Sequence, residues 1–174
     1  SMLEENKKVC DHLHIPLQAG SDEILKRMNR KYDLKYYEDK INRIRSIRPD
    51  ISITTDIIVG FPYETDDLFE YTLEFAKKMN FSKIHVFPYS KREGTSAAIM
   101  PNQVDDKIKK MRVKKLMELS DKLEKEYYDK FKGKDLDILI EECDNNVSIG
   151  HTSNYLMVTL NECLTVGEIY KRTL

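Results

Sequence analysis

A short run of the chain gathers residue types that hold small molecules at the end of a strand: Asp56, then Ile57, Ile58 and Val59, then Gly60, Pro62 and Glu64. The β-branched apolar triplet marks a strand covered on both faces, as in parallel sheets. Gly60 lets backbone approach a neighbour closely, Pro62 stops the ladder, and Thr65 is placed to cap a helix that starts at Asp66. In open α/β sheets and barrels, ligands sit at the carboxyl ends of strands, where residues 60–64 fall. Asp56 reads as a pocket carboxylate or as the partner of a nearby cation. Glu64 either orients the turn or favours the next helix through its dipole.

Two other strand-like runs end in polar groups. Residues 13–18 lead to Gln18 and Ser21, an amide and a hydroxyl, with Ser21 also placed to cap a helix bearing Asp22 and Glu23 in its first turn. Phe87, Pro88 and Tyr89 close the run 83–89, and Arg92 follows in a polar loop, its guanidinium suited to a carboxylate or a phosphate. His12, His14 and His85 lack the spacing of a zinc motif, so no metal site is expected. Further on, His151, Asn154 and Tyr155 combine a ring, an amide and an aromatic platform, groups that pack against an unstacked base or an RNA backbone. Lys109, Lys110, Arg112, Lys114 and Lys115 offer a basic run able to follow phosphates.

The elements that must position these groups can be read from periodicity. Leu34, Tyr37, Ile41, Ile44 and Ile47 recur at helical steps between a capping Asp33 and a terminating Pro49. A strand over 52–59 follows. Leu68, Thr72, Phe75, Ala76 and Met79 then predict a helix against the same sheet, ahead of the third strand. Strands alternating with helices mean βαβ units with right-handed crossovers and a parallel sheet. Residues 104–131 predict one long charged helix with Ile108, Met111, Leu116, Leu119, Leu123 and Tyr127 on its apolar stripe, ending near Gly133. Short β-like runs at 136–141, 147–151, 155–160 and 167–171, separated by Asn- and Ser-rich turns, read as a small all-β module.

Composition narrows the setting. Lys and Arg (29) nearly balance Asp and Glu (30), for a net charge of −1, so a uniformly cationic nucleic-acid binder is excluded and any basic patch is local. Cys10, Cys143 and Cys163 are odd in number and far apart along the chain, which predicts no disulfide framework and a cytoplasmic setting. No apolar run approaches the length of a membrane span, and no membrane partner is expected. Ser1-Met2 reads as a remnant of cloning, with the native frame starting earlier.

Four segments, residues 12–21 (His-Leu-His-Ile-Pro-Leu-Gln-Ala-Gly-Ser), 55–65, 86–95 and 150–155 (Gly-His-Thr-Ser-Asn-Tyr), together resemble the radical-SAM methylthiotransferase family. The resemblance covers nearly the whole chain. It implies an α/β fold: the last three βα units of a catalytic (β/α) barrel over 3–103, a linking helix over 104–133, and a truncated TRAM-type RNA-binding β module over 134–174. It implies that the full-length parent uses S-adenosylmethionine and iron–sulfur clusters, with Gln18, Ser21, Asp56, Gly60, Glu64, Phe87 and Tyr89 on the cofactor side. Arg92, His151, Asn154 and Tyr155 fall on the RNA side, and no catalytic residue falls in this stretch.

The 150–155 segment is similar to the branch that methylthiolates threonylcarbamoyladenosine beside the tRNA anticodon. The implied partners are therefore the anticodon stem-loop and the N-terminal part of the same enzyme. Ala19 stands where the family has serine, and Tyr63 where it has glycine. The family's Cys-x-x-x-Cys-x-x-Cys cluster motif is not in this chain, so the chain alone is expected to be inactive. The alternatives are a methylthiotransferase for isopentenyladenosine tRNA or for a ribosomal protein, and a non-catalytic RNA-binding protein.

Overall fold

The computed structural model describes residues 8–174. The cloning remnant at Ser1-Met2 and the expected start of the first region at residue 3 lie outside the described residues. Three parallel strands, β1 (His12–His14), β2 (Ser52–Val59) and β3 (Lys83–Pro88), form one sheet in the order β1-β2-β3. Between them run α1 (Asp22–Arg27), α2 (Leu34–Ile47) and α3 (Asp66–Met79). The short α4 (Ser96–Ile99) and the long α5 (Asp106–Asp129) lead to four antiparallel strands: β4 (Asp135–Asp144), β5 (Val147–Thr152), β6 (Met157–Leu160) and β7 (Ile169–Thr173). These form a second sheet in the order β6-β5-β4-β7.

The first strand is shorter than expected. Pro16 has no N–H for the ladder, and Thr55 Oγ1 fills the gap, accepting from Leu17 N–H (2.8 Å) and donating to the Ile15 carbonyl (2.8 Å). Pairing resumes at Gln18, whose N–H donates to Asp56 O (2.8 Å) and whose carbonyl accepts from Ile58 N–H (2.9 Å). Of the three expected caps two form, Asp33 accepting from Tyr36 N–H (2.7 Å) and Thr65 from Leu68 N–H (3.3 Å), while Ser21 makes no capping bond.

Strand alternation sorts the parallel sheet into two unlike faces. Ile53, Ile57, Val59 and Ile84 are buried in a core shared with Tyr37, Ile41, Phe69, Met79 and Phe81. The opposite set, His14, Asp56, His85 and Phe87, faces the side with no helix over it and keeps solvent exposure. Because β3 is an edge strand, α5 matters there. Ile84 N–H donates to Ser120 Oγ (2.9 Å), which donates back to the Ile84 carbonyl (3.2 Å). That contact blunts an edge that would otherwise invite pairing with another chain.

Two expectations need correction. The buried stripe of α5 runs through Arg112, Leu116, Ser120, Leu123 and Tyr127, while Ile108 and Met111 are exposed. The polar inner residues are there because each meets a buried polar partner, which apolar periodicity does not register. The expected absence of a disulfide is overturned: Cys143, at the end of β4, is bonded to Cys163 in the loop after β6, with Cα atoms 5.7 Å apart. Twenty residues of separation closed by strand pairing become spatial contact, so distance along the chain was the wrong measure. The β4–β5 hairpin turns on Asn145 and Asn146, both with positive φ (48° and 63°), as a two-residue hairpin loop requires.

Candidate functional site

At the carboxyl ends of the three parallel strands lies a cavity of roughly 690 Å³. Gln18, Asp56, Phe87, Tyr89 and Arg92 line it together, so five of the residues singled out in the sequence meet at one place. The two faces of the sheet explain this meeting: side chains on the helix-free face lean toward the cavity that the turns surround. Gln18 sits at φ 73°, and its side-chain carbonyl accepts from Arg30 Nη2 (3.0 Å), which fixes the amide at the rim. Phe61 packs edge-on against Tyr89 with ring centroids 5.2 Å apart. The Tyr89 hydroxyl is buried and has no hydrogen-bond partner among the described residues. A buried hydroxyl of this kind is costly unless something supplies a partner, and the wall around it is otherwise mostly apolar, the usual make-up of a small-molecule site.

The remaining cofactor-side residues lie elsewhere. Ser21 is buried at the start of α1, with no capping bond from its side chain, and it borders a separate groove with Leu34, Leu68 and Tyr71. Gly60 and Glu64 do not line the cavity. They form a lock between the turn and α5. Glu64 Oε1 accepts from Gly60 N–H (2.7 Å) and from Arg112 Nη1 (2.7 Å), and the same nitrogen donates to the Glu64 carbonyl (3.0 Å). Arg112 Nη2 reaches Asp66 (2.7 Å). Arg112 and Glu64 are 2% and 4% exposed. Burial pushes the Glu64 carboxyl above the usual carboxylate range, with the Gly60 N–H and the Arg112 guanidinium pulling against it. At Gly60 (φ 75°) the close neighbour is Lys109: a Cβ would run into its Cγ. The glycine is therefore explained by helix packing as well as by its position on the strand.

Sequence reasoning missed Arg112 and Lys109 as parts of this turn and grouped them with phosphate-facing basic residues. Arg112 meets Glu64 and Asp66, and Lys109 packs on Gly60, each more than 45 residues away in the chain, so no local signal marks these contacts. Tyr63, which replaces the family glycine, keeps the left-handed backbone (φ 72°), and the Arg27 guanidinium lies 3.8 Å from its ring centroid.

On the module side, Asn154 is 4% exposed and engaged on both ends of its amide, donating to Tyr127 Oη (3.1 Å) and accepting from Thr152 Oγ1. Tyr127 Oη in turn donates to the Asp50 carbonyl (2.7 Å), which ties the module to the start of β2. Tyr155, 57% exposed, stacks with His12 (4.5 Å, 13°) and with His151 (4.7 Å, 19°). His151 Nδ1 also lies 2.8 Å from Glu141.

The S-adenosylmethionine that the resemblance implies fits the cavity's size, apolar wall and orphaned hydroxyl. An iron–sulfur cluster does not fit this chain's thiols: among the described residues Cys143 and Cys163 are bonded to each other, and only Cys10 is a free thiol. No helix among the described residues is long and apolar enough to cross a membrane.

Residues 1–76 match the Radical SAM superfamily model. The chain is 44% identical over 162 residues to the threonylcarbamoyladenosine tRNA methylthiotransferase MtaB of Bacillus subtilis, covering 90% of this chain and 36% of that protein. It is 52% identical over 134 residues to a tRNA-2-methylthio-N(6)-dimethylallyladenosine synthase of Thermoanaerobacter, covering 77% of this chain and 28% of that protein. Among solved structures, coproporphyrinogen III oxidase (HemN) from Escherichia coli, a radical SAM enzyme, superposes with a TM-score of 0.50 at 22% identity, covering 61% of this chain and 25% of that one, a likeness of fold. The chain is thus a homologue of the radical-SAM methylthiotransferases and spans about a third of the length of the curated relatives it matches.

Proposed function

We propose that the chain is part of a cytoplasmic tRNA methylthiotransferase that adds a methylthio group to threonylcarbamoyladenosine beside the anticodon, the anticodon stem-loop being its partner. In this reading the parallel sheet is an arc of the catalytic barrel and the antiparallel sheet is a TRAM-type module, the two joined by α5. The observation that carries it is the cavity at the carboxyl ends of the strands, where Gln18, Asp56, Tyr89 and Arg92 converge. S-adenosylmethionine, when bound, supplies the radical and methyl chemistry of the parent.

This chain's residues bind and orient. Tyr89 offers its unpartnered hydroxyl, Gln18 presents an amide held by Arg30, Phe87 and Phe61 give an apolar wall for a flat base, and Arg92 presents a guanidinium to a carboxylate. Threonylcarbamoyladenosine carries such a carboxylate. Over 90% of this chain, into the antiparallel module, the threonylcarbamoyladenosine enzyme is 44% identical, against 39–42% for dimethylallyladenosine synthases matched over 90–92%.

A second reading, dimethylallyladenosine as substrate, is favoured by the 52% identity over 134 residues. Dimethylallyl has no anion for Arg92 to meet. Mass spectrometry of tRNA nucleosides from a host lacking the parent gene, and from the same host with it restored, separates the two. The expected result is loss and recovery of the methylthiolated threonylcarbamoyl nucleoside. Loss and recovery of the methylthiolated dimethylallyl nucleoside alone would give the second reading its place.

A further inference from the structure

The helix-free face of the parallel sheet carries two imidazoles that the cofactor reading does not use, set around Asp56, which it does. In the register of the sheet His14 lies opposite Thr54 and His85 opposite Asp56, so two imidazoles from the outer strands lean over a carboxylate on the central one. Possible ligand atoms of His14, Asp56 and His85 lie within 4.8 Å of one another. His14 Nε2 is 3.3 Å from Asp56 Oδ2, and the two imidazole centroids are 5.7 Å apart. Ligands of a tetrahedral transition-metal ion stand about 3.4 Å apart, a span that rotation of the exposed His85 ring can reach.

Behind this group stands a hydrogen-bond chain. His14 Nδ1 is 2.9 Å from Thr54 Oγ1, and that hydroxyl is 3.0 Å from His12 Nε2. With Nδ1–H donating to Thr54 and the Thr54 hydroxyl donating to His12, the Nε2 lone pair of His14 points at a carboxylate. In that tautomer a cation between the two electron-pair donors satisfies both, whereas in the other Nε2–H donates to Asp56; an imidazole whose other nitrogen is anchored is how metal-binding histidines are oriented. Spacing along the chain hid this because the three ligands come one from each strand.

We propose that His14, Asp56 and His85 form a binding site for a divalent first-row transition-metal ion. Two neutral nitrogens and one carboxylate oxygen suit zinc, cobalt(II) or iron(II) over magnesium or calcium. Asp56 also lines the cavity, so the ion's remaining positions open toward it, available to an oxygen or nitrogen of whatever the cavity holds. The site does not depend on the tRNA reading, because the metal alone is the probe.

The test is titration of the metal-stripped chain with cobalt(II), followed by its visible ligand-field absorption and by equilibrium dialysis, and repeated in competition with zinc. The expected result is saturation at one ion per chain, displaced by zinc. His85→Ala should weaken binding by at least roughly tenfold with an unchanged circular dichroism spectrum, since the His85 side chain is exposed and its recorded contact is with the His14 ring. Thr54→Val, which removes the anchor of His14 while leaving all three ligands, should weaken it by roughly 10–100-fold. Asp121→Asn, at an exposed carboxylate on α5, serves as the control that leaves binding unchanged. Absence of a saturable cobalt spectrum would overturn the site, leaving His14 and Asp56 as a plain hydrogen-bonded pair. Binding that His85→Ala does not alter would place the ion elsewhere and overturn it equally.

Discussion

On the parallel sheet, Asp56, His85 and Phe87 stand on a face that no helix covers. In the antiparallel module, of the residues expected to meet RNA, Asn154 is buried in contacts within the chain, while Tyr155 stacks on His12 and keeps more than half of its surface exposed. The same residue types thus have opposite fates. In the first region, helices come between the strands and pack one face only, so the polar residues of the other face converge beside the cavity and on one another. In the second, the turn after β5 brings Asn154 onto Tyr127 and Tyr155 onto His12, so that a hydrogen bond and a ring stack hold the module to α5 and β1. A polar residue is therefore better read as a site candidate in this chain when its strand has a helix-covered side opposite it.

The comparison breaks first at the hinge between the regions. Arg112→Met leaves Glu64 buried beside the turn without its ion partner, and unfolding in urea should show a loss of about 3–5 kcal/mol. Adding Glu64→Gln to that variant should restore part of the loss, because the uncompensated charge is gone. An unfolding midpoint unchanged by Arg112→Met would mean that α5 does not lock the turn. Next in size is Gly60→Ala. It forces a side chain onto a left-handed residue and against the stem of Lys109, at a cost of about 2 kcal/mol in the same measurement. Cofactor affinity measured on such a variant would report displacement of the helix as much as the cavity, so Tyr89→Phe is the cleaner probe of the binding wall.

A smaller change sharpens the contrast from the other side. Tyr127, its hydroxyl pushed up to about 12 by burial, joins Asp50 to Asn154. Tyr127→Phe removes both bonds and should cost about 1–2 kcal/mol. Amide hydrogen exchange should quicken in β5 and β6 while β2 keeps its protection. Equal quickening in both sheets would show that the two regions open as one unit.

Much of the frame was legible because it is local. Strand 52–59, the caps at Asp33 and Thr65, and the helix periodicities follow from neighbours in the chain, and the structure has them where those neighbours put them. The convergence of Gln18, Asp56, Phe87, Tyr89 and Arg92 was also within reach, since parallel strands put their carboxyl ends side by side. What escaped was built across the chain: Arg112 meeting Glu64, Ser120 covering the β3 edge, Cys143 meeting Cys163, and His14 leaning toward His85. In each case a residue with an ordinary local reading, as surface charge, helix filler or isolated thiol, takes its role from a partner that only the fold supplies.

The smallest expected effect is electrostatic and sits where the two regions touch. His12 stacks on Tyr155 at 4.5 Å, and burial, followed by the neighbouring His14 and His85, pushes its pKa below the ordinary value. A histidine that holds its proton less tightly when folded than when unfolded makes the unfolded chain the better proton acceptor. Stability is therefore level above about pH 6.5 and falls as pH drops through that value toward the lower folded pKa. A pH series on the wild type alone sums over every titrating group, so His12→Asn is the better test. Thermal melts between about pH 7.5 and about pH 5.5 should show a shallower acid slope for the variant. Parallel profiles would mean that the His12–Tyr155–His151 stack holds the module by packing alone, and that the acid-sensitive contacts lie within one region and not at the join between them.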